Sequence, residues 1–166
     1  MIKLRAPEPK DVDLLFIWEN DPGLYEVLPA AAPLSRHQMW EYVNNYNADP
    51  YATNQLRLII EDEDGAMVGY LDMFEFDPVN RRAGMAIYIG EEYRGRRFAT
   101  MAIEQFAQYC GSTLALHQLW AIVAVDNMPS RALFTGCGFK ACGRLRSWIR
   151  RRNQYSDAMI FQKLFA

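Results

Sequence analysis

Apolar and polar residues alternate over Ile2–Arg5, which predicts a short strand that Pro7 and Pro9 close. From Asp11 to Asn20 the spacing changes. Val12, Leu15, Phe16 and Ile17 fall near helical intervals behind acidic residues, and Asp21-Pro22-Gly23 ends the pattern, so a first amphipathic helix is expected there. A loop through Leu28–Pro33 follows. Ser35-x-x-Gln38 then has the form of a capping box that opens a second helix through Met39, Val43 and Tyr46. Gln55–Glu61 and Ala66–Phe76 are rich in branched residues and flank the turn Asp62-Glu63-Asp64-Gly65, which reads as a hairpin. Asp77-Pro78 turns the chain once more into Arg82–Ile89, giving three consecutive antiparallel strands.

The second half changes character. Phe98–Cys110 has helical period, and Gly111 and Ser112 break it. Leu119–Val125 is apolar almost without interruption, which predicts a strand buried on both faces, as where a helical crossover returns the chain to a parallel neighbour. Met85–Ile89, the helix and Leu119–Val125 thus form a βαβ unit. Asp126-Asn127 caps a short helix through Leu133 and Phe134 that Gly136-Cys137-Gly138 ends. Gly143–Ile149 and Tyr155–Leu164 form a last hairpin across Arg150-Arg151-Arg152-Asn153-Gln154. These elements make a mixed α+β architecture with about seven strands and four helices, in a single domain over residues 1–166.

Within that order one stretch has chemistry of its own. Tyr93-Arg94-Gly95-Arg96-Arg97-Phe98-Ala99-Thr100 is a basic turn between a strand and a helix. Amides at a helix start lack intrahelical partners and sit at the positive end of the helix dipole, so a phosphate is favoured there, and arginines add charge-assisted bonds. A solvated surface turn is the alternative reading.

Composition narrows the field. The chain has 166 residues, 51% of them apolar and 23% charged, and a net charge of −2, which suits one globular domain and argues against general nucleic-acid binding. Its N-terminus lacks the apolar core of a signal peptide and it has no apolar run of membrane-spanning length, so a cytoplasmic protein without a membrane partner is expected. Cys110, Cys137 and Cys142, with only His37 and His117 beside them, make a poor metal set and read as reduced packing cysteines; no metal is expected. Trp18, Trp40, Trp120 and Trp148 read as core or groove packing and His117 as structural. Arg150–Arg152 reads as a solvated hairpin tip, with substrate or partner contact as the alternative.

Tyr93-Arg94-Gly95-Arg96-Arg97-Phe98-Ala99 resembles the Gln/Arg-x-x-Gly-x-Gly/Ala loop of the GCN5-related N-acetyltransferases, the GNAT family. Asn127-Met128-Pro129-Ser130 through Phe134 to Gly138-Phe139 resembles that family's Asn-x-x-Ser/Ala … Gly-Phe motif, and the resemblance covers nearly the whole chain. It implies a GNAT-like fold: a central mixed, mostly antiparallel sheet with a βαβ acyl-CoA unit. It implies that amides from Arg94, Gly95, Arg96, Arg97, Phe98, Ala99 and Thr100 hold the pyrophosphate of acetyl-CoA as cosubstrate. Backbone groups of Ile87 and Ile89, with Tyr88 between them, would pair with the pantetheine arm, and Asn127 and Phe134 would lie beside it. Leu4-Arg5-Ala6 and Asn80-Arg81-Arg82-Ala83 are similar to the branch that includes spermidine and ribosomal-protein N-acetyltransferases.

The chain also departs from the family. The loop glycine falls at Arg97, whose amide must bind phosphate without glycine's freedom at positive φ; that is tolerable where the residue is right-handed, and the side chain itself could reach a phosphate. At Phe134 many members carry a Tyr proposed to protonate the leaving thiolate; a phenyl ring cannot, so water or another hydroxyl must, or catalysis is slow. Where the polyamine enzymes line their site with acidic residues, this chain has Ala30-Ala31-Ala32 and Gly84. The implied reaction is direct attack of a neutral primary amine, on a small molecule such as a polyamine or on a protein N-terminus, upon the acetyl thioester in a ternary complex. Glu75, near the end of the central strand, is the candidate base, with a solvated hairpin carboxylate as its other reading; strand parity sets Asp72 on the opposite face and makes it the weaker candidate. A non-catalytic acyl-CoA-binding module is the alternative function that Phe134 suggests. A homo-oligomer is compatible with everything above.

Overall fold

The computed structural model describes residues 1–25, 32–151 and 153–166, with the backbone alone at 24 and 25. Most of the loop expected over Leu28–Pro33, including Ala30 and Ala31, lies outside the described residues, as does Arg152 of the hairpin tip. The order is β1 (Ile2–Arg5), α1 (Val12–Glu19), α2 (Pro22–Tyr25), α3 (Arg36–Asn44), α4 (Pro50–Thr53), β2 (Leu56–Asp62), β3 (Met67–Asp77), β4 (Arg82–Ile89), α5 (Phe98–Ser112), β5 (Gln118–Ala124), α6 (Met128–Gly136), β6 (Lys140–Arg151) and β7 (Gln154–Leu164). Of these, α2 and α4 are single turns that the hydrophobic pattern does not signal; Asp49 caps α4 by accepting from the Tyr51 amide.

The strands form one sheet in the order β1-β2-β3-β4-β5-β7-β6. Every neighbouring pair is antiparallel except β4 and β5. The α+β class, the mixed seven-stranded sheet and the βαβ crossover therefore stand as the sequence predicts. One face buries Val12, Leu15, Trp18, Met39 and Val43 of α1 and α3 against Ile59 and Tyr70. The other buries α5, through Ala102, Ile103, Phe106 and Cys110, together with Phe134 and Phe139, against Leu71, Met73, Met85 and Leu119.

Local chemistry accounts for the ends. Ser35 accepts from the Gln38 amide while the Gln38 side chain accepts from the Ser35 amide, the reciprocal box expected at α3. The helix expected to stop at Cys110 continues through Gly111 and Ser112, and Gly111 faces the Phe165 ring, which a Cβ would approach to 3.3 Å. The expectation that the strand after α5 is buried on both faces is also corrected. In β5, Leu119, Ala121 and Val123 are buried, but Trp120 and Ile122 on the alternate face are only half-buried. Trp18 is a core residue, whereas Trp40 and Trp148 are about half exposed and pack no core. Cys110 and Cys137 are buried and free, and Cys142 is exposed.

Candidate active site

The site begins with a break in the sheet. Strand β4 pairs with β5 only where Arg82, Ala83 and Gly84 face Gln118, Leu119 and Trp120. Beyond Gly84, β4 stays paired with β3 as far as Ile89 opposite Gly69, while β5 follows β7 as far as Ala124 opposite Ala158. The β4 edge at Ile87, Tyr88 and Ile89 is thereby left without a strand partner, and its residues are half-buried. Gly84 sits at the fork for a packing reason. The rings of Phe74 and Trp120 meet there edge to face at 5.2 Å, and a Cβ on Gly84 would lie 2.4 Å from Phe74 and 2.8 Å from Trp120. No acidic side chain fits at that position.

A cavity of about 170 Å³ occupies the splay. Met85, Ala86, Ile87 and Tyr88 of β4, Ile122 to Ala124 of β5, and Asn127, Ser130 and Phe134 line it, with Tyr70 and Asp72 from β3. Asn127 caps α6 by accepting from the Ser130 amide at 3.2 Å. Ser130 and Phe134 are one helical turn apart and share a face. Phe134 is buried against Phe139 and Phe161, so its place in the motif is filled by packing, not by a donor.

The basic turn closes one end of the splay. Gly95 has φ +75° and Arg97 φ +64°, and α5 starts immediately after. Arg97 is therefore not in the right-handed conformation that would accommodate it without strain: it takes the left-handed one a glycine would take, at a cost of roughly 1–2 kcal/mol for a side chain with a Cβ. The first helical bond in α5 runs from the Met101 amide to the Arg97 carbonyl, so the amides of Phe98, Ala99 and Thr100 face outward from the helix start. Phe98 is buried and anchors the turn beneath the Arg96 guanidinium, 4.9 Å above its ring; Arg94 donates to the Ile89 carbonyl, and Arg94, Arg96 and Arg97 are exposed.

On the α1/α3 face lies a larger cavity of about 540 Å³, and Asp72 lines both it and the splay. Strand register brings Arg57 of β2 opposite Asp72. The guanidinium grips that carboxylate with two bonds of 2.6 Å and gives a third, also 2.6 Å, to Glu19 at the end of α1. Burial alone would lower the Arg57 pKa, but the hydrogen bonds to Asp72 and the charges of Asp72 and Glu19 outweigh it and hold the group well above its ordinary value. The same guanidinium lies 4.3 Å over the Tyr70 ring and 5.7 Å over that of Tyr42. Tyr46 stands in for a missing strand neighbour, its hydroxyl accepting from the Arg57 amide and donating to the Arg57 carbonyl. Burial pushes the Tyr42 phenol up to about 12, opposed by Arg57, and raises Tyr70 further, with the charge of Glu19 adding to it.

Glu75 is elsewhere. Between Phe74 opposite Gly84 and Asp77 opposite Arg82, β3 carries one more residue than β4, and Glu75 occupies that bulge at φ +48° with its side chain exposed. It lines neither cavity, whereas Asp72 lines both. The sequence reading did not single out Arg57 and Glu19. Their signal depends on a bulge in the hairpin: the turn at Asp62–Gly65 pairs Glu61 with Met67 and by itself would face Arg57 with Leu71, and the register shift between Ile60 and Glu61 faces it with Asp72 instead.

Comparison with known proteins adds a third line to sequence and geometry. A family model described as an acetyltransferase (GNAT) domain matches residues 2–140. The spermidine N(1)-acetyltransferase of Vibrio cholerae serotype O1 is 29% identical over 112 residues, a segment that is 68% of this chain and 65% of that protein. The match thus spans just under two thirds of that relative's length. A Bacillus subtilis (strain 168) protein, YdaF, provisionally named a ribosomal N-acetyltransferase, is 28% identical over 170 residues, covering 98% of this chain and 91% of its own. The crystal structure of spermidine N-acetyltransferase from Vibrio cholerae in complex with CoA and spermine superposes with a TM-score of 0.85 at 25% identity, covering 98% of this chain and 95% of that one.

Proposed function

The chain belongs to the GNAT acetyltransferase family, and from that premise we propose that it is a single-domain, cytoplasmic enzyme that transfers the acetyl group of acetyl-CoA to a primary amine by direct attack in a ternary complex. The observation that carries this reading is the splay itself. An unpaired β4 edge, which an extended pantetheine arm matches by main-chain pairing, runs from the basic turn to a point where Asp72 opens onto a second cavity. Phosphate oxygens suit the amides of Phe98 to Thr100, with Arg94, Arg96 and Arg97 adding positive charge around them. The donor thus comes from the α5/α6 side and the amine from the α1/α3 side.

In the reaction the amine nitrogen forms a bond to the acetyl carbon, the carbon–sulfur bond breaks, the sulfur departs with the electron pair, and the acylated nitrogen gives a second proton to water as it becomes an amide. The nitrogen must first be neutral. Asp72, with Glu19 behind it, orients the ammonium, whose proton leaves to water through the open acceptor cavity. Asp72 stands in this reading where the sequence suggests Glu75, but it orients the ammonium and does not take its proton, because Arg57 engages both its oxygens. On the donor side the departing thiolate, with an ordinary pKa of about 8.5, needs only a hydrogen bond and then a proton from water. Ser130, on the same helix face as Phe134 and one turn nearer the helix start, offers that hydrogen bond.

Thiol release from acetyl-CoA, followed across a panel of amines, tests the reading. Release that requires an amine, with the acetylated amine identified by mass, is the expected result. CoA binding without turnover of any amine would instead leave an acyl-CoA-binding module.

A further inference from the structure

We propose that the acceptor is a weakly basic amine with a single positive charge on an uncharged body, the α-amine at the start of a peptide, and not a polyamine. The inference rests on the acetyl-transfer reading and narrows it.

The first support is charge. Among the described residues lining the 540 Å³ cavity, Glu19 and Asp72 are negative, Arg57 is positive, and Tyr42 and Tyr46 are neutral phenols. Arg57 bonds both carboxylates at 2.6 Å, so the cavity offers one net negative charge beside a fixed cation. One ammonium is matched there. A second ammonium on the same molecule meets no further carboxylate among those residues, and it meets a guanidinium that repels it. The remaining wall is of another kind. Gln38, Asn45, Asn47 and Gln55 present side-chain amides, between the apolar surfaces of Met39 and Phe74, although the oxygens of Gln38 and Asn47 already accept from the Ser35 and Asp49 amides. Side-chain amides both donate and accept hydrogen bonds, as the N–H and C=O groups of a peptide do.

The second support is the absence of a free base at the junction. Both oxygens of Asp72 are engaged by Arg57, Glu19 is engaged by the same guanidinium, and Glu75 is exposed in its bulge. An acceptor that is already partly neutral suits such a site. At about pH 7.5 an α-amine of pKa ~7.7–8.0 is roughly a third neutral, while an alkylamine of pKa ~10.4 is neutral in roughly one molecule per thousand. For equal positioning, that difference favours the α-amine by a factor on the order of 10².

The test is kcat/KM with acetyl-CoA for uncharged tripeptide amides beginning with alanine, serine or methionine, against putrescine, spermidine and spermine. The best peptide is expected to exceed spermidine at least tenfold, with a rate that rises with pH, reaches half its maximum near the α-amine pKa of ~7.7–8.0 and levels about one pH unit above it. Spermidine equal to or better than every peptide overturns the inference while leaving acetyl transfer intact. Turnover of none of these amines, with CoA still bound, overturns the acetyl-transfer reading itself. Arg57→Met, checked for folding by circular dichroism and CoA binding, frees both carboxylates and should shift the spermidine-to-peptide ratio at least tenfold toward spermidine. An unchanged ratio in the folded variant removes Arg57 as the selecting residue, and if the variant does not fold, the panel with the unaltered chain decides.

Discussion

The two sides of the cleft are built by different means. On the α5/α6 side the groups that face the ligand are mostly backbone: an unpaired strand edge, a left-handed Arg97 and the outward amides of a helix start. On the α1/α3 side they are side chains, and Glu19, Arg57 and Asp72 come from three elements that meet only in the folded sheet. A backbone site tolerates exchange of side chains, because its donors do not depend on residue type. A side-chain site changes its ligand with a single substitution. A constant donor and a variable acceptor follow from that difference in construction.

If the sides are separable, substitutions should divide between them. Asp72→Asn keeps the shape but removes the charge that faces both cavities, and kcat/KM for the acceptor should fall about 100-fold, while the dissociation constant of acetyl-CoA stays within about twofold. Steady-state kinetics beside a CoA titration decides this, and equal losses in both would erase the distinction. The mirror experiment is Gly95→Val, which puts a β-branched residue at φ +75° on the donor side. CoA affinity should weaken about tenfold, equivalent to ~1.4 kcal/mol, with KM for the amine unchanged.

Ser130→Ala tests the departing sulfur, with kcat expected to fall about tenfold at unchanged KM for acetyl-CoA. Phe134→Tyr in that background should recover part of the loss, which a purely structural Ser130 would not allow. Alkaline pH should strike the acceptor side first. Burial raises Tyr42, Tyr46 and Tyr70 around Arg57, so the folded chain holds these phenolic protons more tightly than the unfolded chain does. Their contribution to stability is complete below about pH 10, the ordinary phenol value, and is lost as pH rises towards about 12 and beyond. Thermal melts across that window, with phenolate absorbance read alongside, should show the loss and the titration together. The smallest effect is assigned to Glu75→Gln, within about twofold on kcat/KM; a loss as large as that of Asp72→Asn would make Glu75 the base after all.

These two constructions also explain what could be read before folding. The helix start after Gly95, the Asn127 cap and the capping box at Ser35 depend on residues a few positions apart, and local spacing displays them. The acceptor side depends on pairing between strands. Parity alone assigns Asp72 and Glu75 to opposite faces, but it does not say which face holds the site, and the bulge at Glu75 ends the alternation at that residue. Arg57 is one of eighteen Lys and Arg residues in the chain, and nothing near it in sequence marks it until β2 and β3 are aligned. The conformation of Arg97 is hidden for a related reason: residue type disfavours positive φ, yet the turn holds it there.

The fork at Gly84 has a mechanical consequence. Strands β1 to β4 and β5 to β7 are two leaves stitched along the sheet by three residues on each side. A ligand that pairs with the open edge of β4 lengthens that seam. Its concentration then enters the melting temperature through RT ln(1 + [L]/Kd), about 2.7 kcal/mol at a hundredfold excess over Kd. The amides of the outer half of β4 would report the event directly, exchanging with deuterium on a local opening when the cleft is empty and only with the whole sheet once it is filled.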